Sequence, residues 1–152
     1  MTLMAGSTPG ATEWFQRARV MRREQLSKLA QLGVLVSGIS RLVHMLQCER
    51  GASNVWLCSQ GKLYAPECKA SRGLVDENLA ALYDMLEKHT PMPGSAVCER
   101  IASALLSLEI LPALRDGVNK QTITSPQAME HYCRMLRHLL SIVPQLNDSI
   151  DD

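Results

Sequence analysis

Apolar residues recur three and four apart along most of this chain. Leu32, Leu35, Ile39, Leu42 and Leu46 make one such row, the spacing that places side chains on a single buried seam of a helix. Continuing the count puts Glu49 on the same seam. A neighbouring row of sevens runs Leu29, Val36, Val43, Arg50 and Leu57, so an arginine stands where the other four members are apolar. The pattern predicts a cation facing inward. An inward guanidinium is costly unless it is paired and hydrogen-bonded, so the sequence asks for an anion here, either a carboxylate or a bound ligand. Glu49, Asp76, Glu109 and Asp148 are the candidate carboxylates. Glu49, however, points about 100° away round the same helix and is expected instead to orient a donor on a neighbouring helix. Gly51 follows Arg50 directly and leaves the backbone open to another helix or to a small ligand.

The same spacing predicts the remaining elements. Thr12 is the expected N-cap of the first helix, with Glu13 in its first turn. No proline interrupts residues 12–58, and the register survives Gly33 and Gly38. Each glycine costs about 1 kcal/mol against alanine in a helix interior, so both are expected to serve close packing or a slight bend. Ser59 to Lys62 reads as a turn, with Gly61 ending the helix. A second helix is expected from about Pro66, with Val75, Leu79, Leu82 and Leu86 as its seam, stopping before Thr90-Pro91-Met92-Pro93-Gly94. Ser95 is the expected cap of a third, with Val97, Ile101, Ala104, Leu108 and Leu111 inward, and Pro112 should kink or divide it. Arg115 continues that stripe seven residues after Leu108 and is a second, weaker candidate anion ligand. Ser125-Pro126 reads as N-cap and first position of a fourth helix whose row is Met129, Tyr132, Leu136, Leu139, Val143, Leu146 and Ile150. No period-two alternation competes. The expected fold is all-α, an antiparallel four-helix bundle with a very long first helix. Residues 1–11 are expected as a flexible tail and residues 12–152 as the bundle.

Composition narrows the function. Sixteen Lys and Arg against fifteen Asp and Glu leave no global basic field for nucleic acid. Arg17, Arg19, Arg22, Arg23 and Lys28 are read as a solvated face before an RNA or partner contact. Five cysteines, Cys48, Cys58, Cys68, Cys98 and Cys133, are an odd number without a CxxC pair and fit reduced thiols in the cytoplasm before a disulfide framework or a metal site. No secretory signal and no apolar run of the roughly 20 residues that span a bilayer is apparent. His131 and His138 lie one heptad apart, whereas a metal pair on one helix face is usually spaced three or four, so they read as surface. No nucleophile stands beside a base, and no clustered acid pair occurs; an enzyme is not expected, and neither is a cofactor.

The run Leu42-Val43-His44-Met45-Leu46-Gln47-Cys48-Glu49-Arg50-Gly51-Ala52-Ser53-Asn54-Val55-Trp56-Leu57 resembles the first helix of the NIT domain, the nitrate- and nitrite-sensing module of bacterial receptors and transcription antiterminators. Leu-Gln-x-Glu-Arg-Gly-x-Ser is the diagnostic core. The likeness is greatest to the cytoplasmic nitrate-responsive antiterminators, and it extends to Glu13–Arg19 at one end and Ile142–Asp152 at the other. It implies a non-catalytic signal-input module. In the family two four-helix halves hold nitrate between arginines of both, and an RNA-binding ANTAR domain follows. The chain resembles the first half, so the second half and the output domain are expected to be absent and RNA to be reached only through that output domain. Arg50 matches the family's first nitrate-binding arginine. Nitrate or nitrite is a small planar anion, and a guanidinium offers it two parallel donors in one plane. A homodimer is the expected assembly, with no membrane. The competing reading is a helical dimerisation module without a ligand, and a third is a thiol switch through Cys48 and Cys58.

Overall fold

With no proline between residues 11 and 58, nothing removes a backbone donor from the first helix, and α1 runs unbroken over Ala11–Cys58. The structure is a computed structural model that describes residues 10–88 and 94–150. After α1 come α2 (Ala65–Lys88), α3 (Ser95–Leu108), α4 (Leu111–Lys120), α5 (Ser125–Leu140) and α6 (Ile142–Ile150). Every regular element among the described residues is an α-helix. The first nine residues of the expected tail, the break as far as Pro93, and His89 lie outside the described residues.

Among the described residues, six helices make four segments, because α3–α4 and α5–α6 are each one expected helix divided by a proline. A proline inside a helix cannot donate to the carbonyl four residues back, and its ring collides with that carbonyl. Four residues before Pro112 is Leu108, the last residue of α3. Four residues before Pro144 is Leu140, the last residue of α5. The first break was expected. The second corrects the reading of an unbroken fourth helix, and it follows the same rule.

Three helices start one or two residues before their expected places. Thr12 is already inside α1. Gly94 precedes α3 at φ 80°, so Ser95 is the first helical residue and caps nothing. Thr124, not Ser125, caps α5: its extended backbone lets its hydroxyl accept from the Gln127 amide, while the Gln127 side chain accepts from the Thr124 amide at 3.0 Å. This reciprocal pair satisfies two amides that the helix itself leaves unpaired. At the other end of α1, the Gln60 amide reaches Leu57 O and the Gly61 amide reaches Trp56 O, the Schellman pattern, with Gln60 and Gly61 both at positive φ. A Cβ on Gly61 would stand 2.6 Å from Gln121 Nε2 and 3.2 Å from the Trp56 ring; that approach is what the glycine allows. The Trp56 indole donates to Val118 O at 2.9 Å and so pairs a carbonyl in the last turn of α4.

The chain divides into two compact units, one ending at Val34 and one from Leu35 onward. In the first, residues 11–34 are a stretch of α1 on which Trp14, Phe15, Val20, Met21, Leu26, Leu29 and Val34 are exposed. Leu29 therefore departs from the inward row predicted for it. In the second unit α3 packs on α5 and α6, and α4 on α5. Leu35 and Ile39 of α1 line a small internal void with Leu82 of α2, Ala104 of α3, Leu139 of α5 and Ile142 of α6, so one core joins these five helices. Ile39, Leu42 and Leu46 are at most 1 % exposed. The seam read from the sequence is this core. Gly38 is where α2 comes close, since a Cβ there would meet Met85 Cε at 2.9 Å. One 18-residue window of α1 has mean hydropathy 1.5, long and apolar enough by composition to cross a bilayer. Counting consecutive apolar residues did not find it, because polar residues such as Gln31, Ser37, Ser40 and Arg41 interrupt the run. A third of that window is buried in the fold.

Candidate functional site

Glu49 extends the apolar seam of α1 by one position, and the fold buries it completely. A buried carboxylate needs a cation and hydrogen bonds, and two other helices supply them. From α4, Arg115 donates Nε to Glu49 Oε2 at 3.1 Å and Nη2 to Oε1 at 2.7 Å, a two-pronged clasp that matches the plane of the carboxylate. From α5, the hydroxyl of Tyr132 donates to Oε2. Ser53, one turn after Glu49 and equally buried, shares a hydrogen bond of 3.1 Å with that hydroxyl. Arg115 Nη1 then reaches Asp76 Oδ1 of α2 at 2.8 Å. All three guanidinium nitrogens of Arg115 are engaged.

The electrostatics follow from this arrangement. Burial pushes the Tyr132 phenol well above its ordinary value, and the neighbouring Glu49 charge and the hydrogen bond to it push further. Burial alone would lower the Arg115 pKa, but its bonds to Glu49 and Asp76 outweigh burial and hold it above the usual guanidinium value. Tyr132 has a folded pKa raised above its unfolded value of about 10. Its contribution to stability is therefore complete below about pH 10 and is lost as pH rises through the folded value. Urea midpoints measured from pH 8 to 11 should fall above pH 10, and Tyr132→Phe should flatten that fall. An unaltered slope in the variant would place the pH dependence elsewhere.

Arg50 sits differently. It is half-buried, and its Nη1 donates to Cys133 Sγ of α5 at 3.6 Å, a weak acceptor. Among the described residues no carboxylate lies within 4.0 Å of it; the four ion pairs belong to Lys88, Arg115 and Lys120. Asp76, a candidate partner for Arg50, pairs with Arg115. Glu49 accepts from a donor on a neighbouring helix, and that donor is Arg115, the second candidate ligand. Beside Arg50, a Cβ on Gly51 would meet nothing within 4 Å. Among the described residues, no other helix comes within 4 Å of that position.

Sequence reasoning missed the hydroxyl of Tyr132, placed only as a member of an apolar row, and Ser53. The signal for Ser53 was available: it lies four residues after Glu49, on the same face of α1. His131 and His138 both border a groove, away from Glu49.

Residues 41–152, which contain the whole Glu49 network, match the family model for nitrate and nitrite sensing, NIT. The chain belongs to the NIT family. This NIT chain is 55 % identical over 152 residues to the nitrate regulatory protein of Klebsiella oxytoca, an alignment that covers all of the chain and 38 % of that protein. It is also similar to a solved structure of the NasR transcription antiterminator, with a TM-score of 0.83 and 54 % identity over 95 % of the chain and 39 % of that structure's chain. The NIT chain thus spans well under half the length of either relative.

Proposed function

We infer that this NIT domain is the nitrate- and nitrite-sensing input module of a transcription antitermination regulator, that it does no chemistry, and that Arg50 holds the anion. The observation that carries this reading is the contrast between two arginines. Arg115 is saturated by Glu49 and Asp76, whereas Arg50 has a thiol for a partner and lies beside the open backbone of Gly51. A guanidinium in that state has donors to offer a planar anion. Binding would neutralise Arg50 and draw its helix toward a second cationic group, and occupancy would be reported as a shift in helix packing. The similarity to a nitrate regulatory protein and to a transcription antiterminator supports a cytoplasmic regulator that reaches RNA through another domain. Arg115, the weaker candidate, serves in this reading to hold Glu49.

The test is thermal unfolding in nitrate, nitrite and chloride at equal ionic strength. Nitrate or nitrite should raise Tm by roughly 2–4 °C for each kcal/mol of binding stabilisation, and chloride should not. Equal curves in all three salts would sink the assignment. A second reading, a helical dimerisation module without a ligand, is favoured by the exposed Trp14, Phe15, Met21 and Leu26 on α1, since apolar patches of that kind find partners. Sedimentation that shifts with concentration, together with no anion effect, would select it.

A further inference from the structure

Away from Glu49, α3 and α5 leave between them a groove of about 360 Å³, bordered by Ser103, Leu106, Ser107 and Ile110 on one wall and by His131, Arg134 and His138 on the other. The volume is within the range of small-molecule sites. His131, Arg134 and His138 are spaced three and four apart, so they share one face of α5. Arginine between the two histidines changes what the pair can do: a permanent cation repels a metal ion, while all three side chains can donate hydrogen bonds to an anion. Among the described residues, no carboxylate lines the groove to compete for them. On the facing wall Ser103 and Ser107 are one turn apart. Ser107 spends its proton on Ala104 O at 2.7 Å and so offers the groove a lone pair, which can accept from a protonated phosphate oxygen or from a hydroxyl of the organic part. Leu106, 68 % exposed, and Ile110 supply an apolar surface beside these groups.

A planar anion has its oxygens in one plane, whereas the donors here are strung over seven residues, about 10 Å along α5. A phosphoryl group carries nearly two charges and three acceptor oxygens disposed around a tetrahedron, so it can face several of these donors at once. We propose that this groove is a second ligand site, separate from Arg50, and that it binds a small phosphate monoester with its phosphoryl group against Arg134, His131 and His138 and its organic part against Leu106 and Ile110. The proposal does not depend on nitrate binding.

Phenyl phosphate and inorganic phosphate are the probes, followed by amide chemical shifts of the isotopically labelled full chain. Phenyl phosphate should give saturable shifts confined to residues 103–110 and 131–138, with a weaker response to inorganic phosphate. Arg134→Gln should lower the affinity at least about tenfold, the effect of one lost charged hydrogen bond, and His131→Asn with His138→Asn should lower it again. The amide spectrum of each variant without ligand reports whether it is folded, and all three positions line the open groove. No saturable shift at millimolar phenyl phosphate, or an affinity unchanged in Arg134→Gln, would overturn the site. Equal affinity for both probes would overturn the assignment of the ester.

Discussion

Replacing Glu49 by leucine is expected to cost roughly 3–5 kcal/mol of stability, the range for breaking a buried ion pair by removing one partner. The shape of leucine suits the position, which continues a seam of leucines, so the loss would not come from packing. It would come from the groups left behind. Arg115, whose side chain is 16 % exposed, loses two of its three bonds, and the Tyr132 hydroxyl loses a charged acceptor. Removing both charges should behave differently. Glu49→Leu combined with Arg115→Met leaves an apolar contact in place of the pair, and such exchanges are often neutral or stabilising. Asp76, at 61 % exposure, simply returns to water. Urea titration of the two single variants and the double variant would separate these terms. A loss below about 1 kcal/mol for Glu49→Leu, the scale of an exposed pair, would mean that the clasp is not the buried interaction it is taken to be.

Arg50→Leu should have the opposite character: no loss of folding, or a gain, together with loss of the anion response. Leucine matches Val43 and Leu57 in the same row, and the partner it abandons is a thiol, which tolerates an apolar neighbour. A buried salt bridge at Arg50 would instead strand a carboxylate and cost roughly 3–5 kcal/mol, but no carboxylate of the described residues lies within 4.0 Å of it. The unmodified chain should gain about 2.7 kcal/mol when nitrate is at a hundredfold excess over its dissociation constant, and the variant should gain nothing. A variant that unfolds, or one that still responds to nitrate, would remove Arg50 from the role proposed for it.

Much of the fold was legible because helix periodicity is a local property. The α1 seam from Leu32 to Leu46, the ends near Gly61 and Thr124, and the division at Pro112 all follow from residues within one turn of each other. Pro144 was equally local, but the apolar row through Leu139, Val143 and Leu146 continues across it and masked the break. The network around Glu49 was less legible for a physical reason. Periodicity tells which face a residue occupies, while Arg115 and Tyr132 lie 66 and 83 residues from Glu49, and their meeting depends on how the helices cross and rotate. Tyr132 shows the limit most plainly: its ring obeys the apolar row, and its hydroxyl, which periodicity does not read, donates to the buried acid. For Arg50 the row predicted an inward cation. The fold leaves that residue half-buried, at the point where the apolar seam gives way to the polar cluster.

The indole bond from Trp56 to Val118 O also makes the protein its own fluorescent reporter. The chain has two tryptophans. Trp14 is 58 % exposed, with the Arg17 guanidinium 4.7 Å from its ring, and contributes a solvent-quenchable background. A Trp14→Phe chain would emit from Trp56 alone, six residues and about 9 Å along the helix axis from Arg50. Its emission wavelength depends on whether that one hydrogen bond is kept, so movement of α1 against the end of α4 can be followed in real time and without a dye.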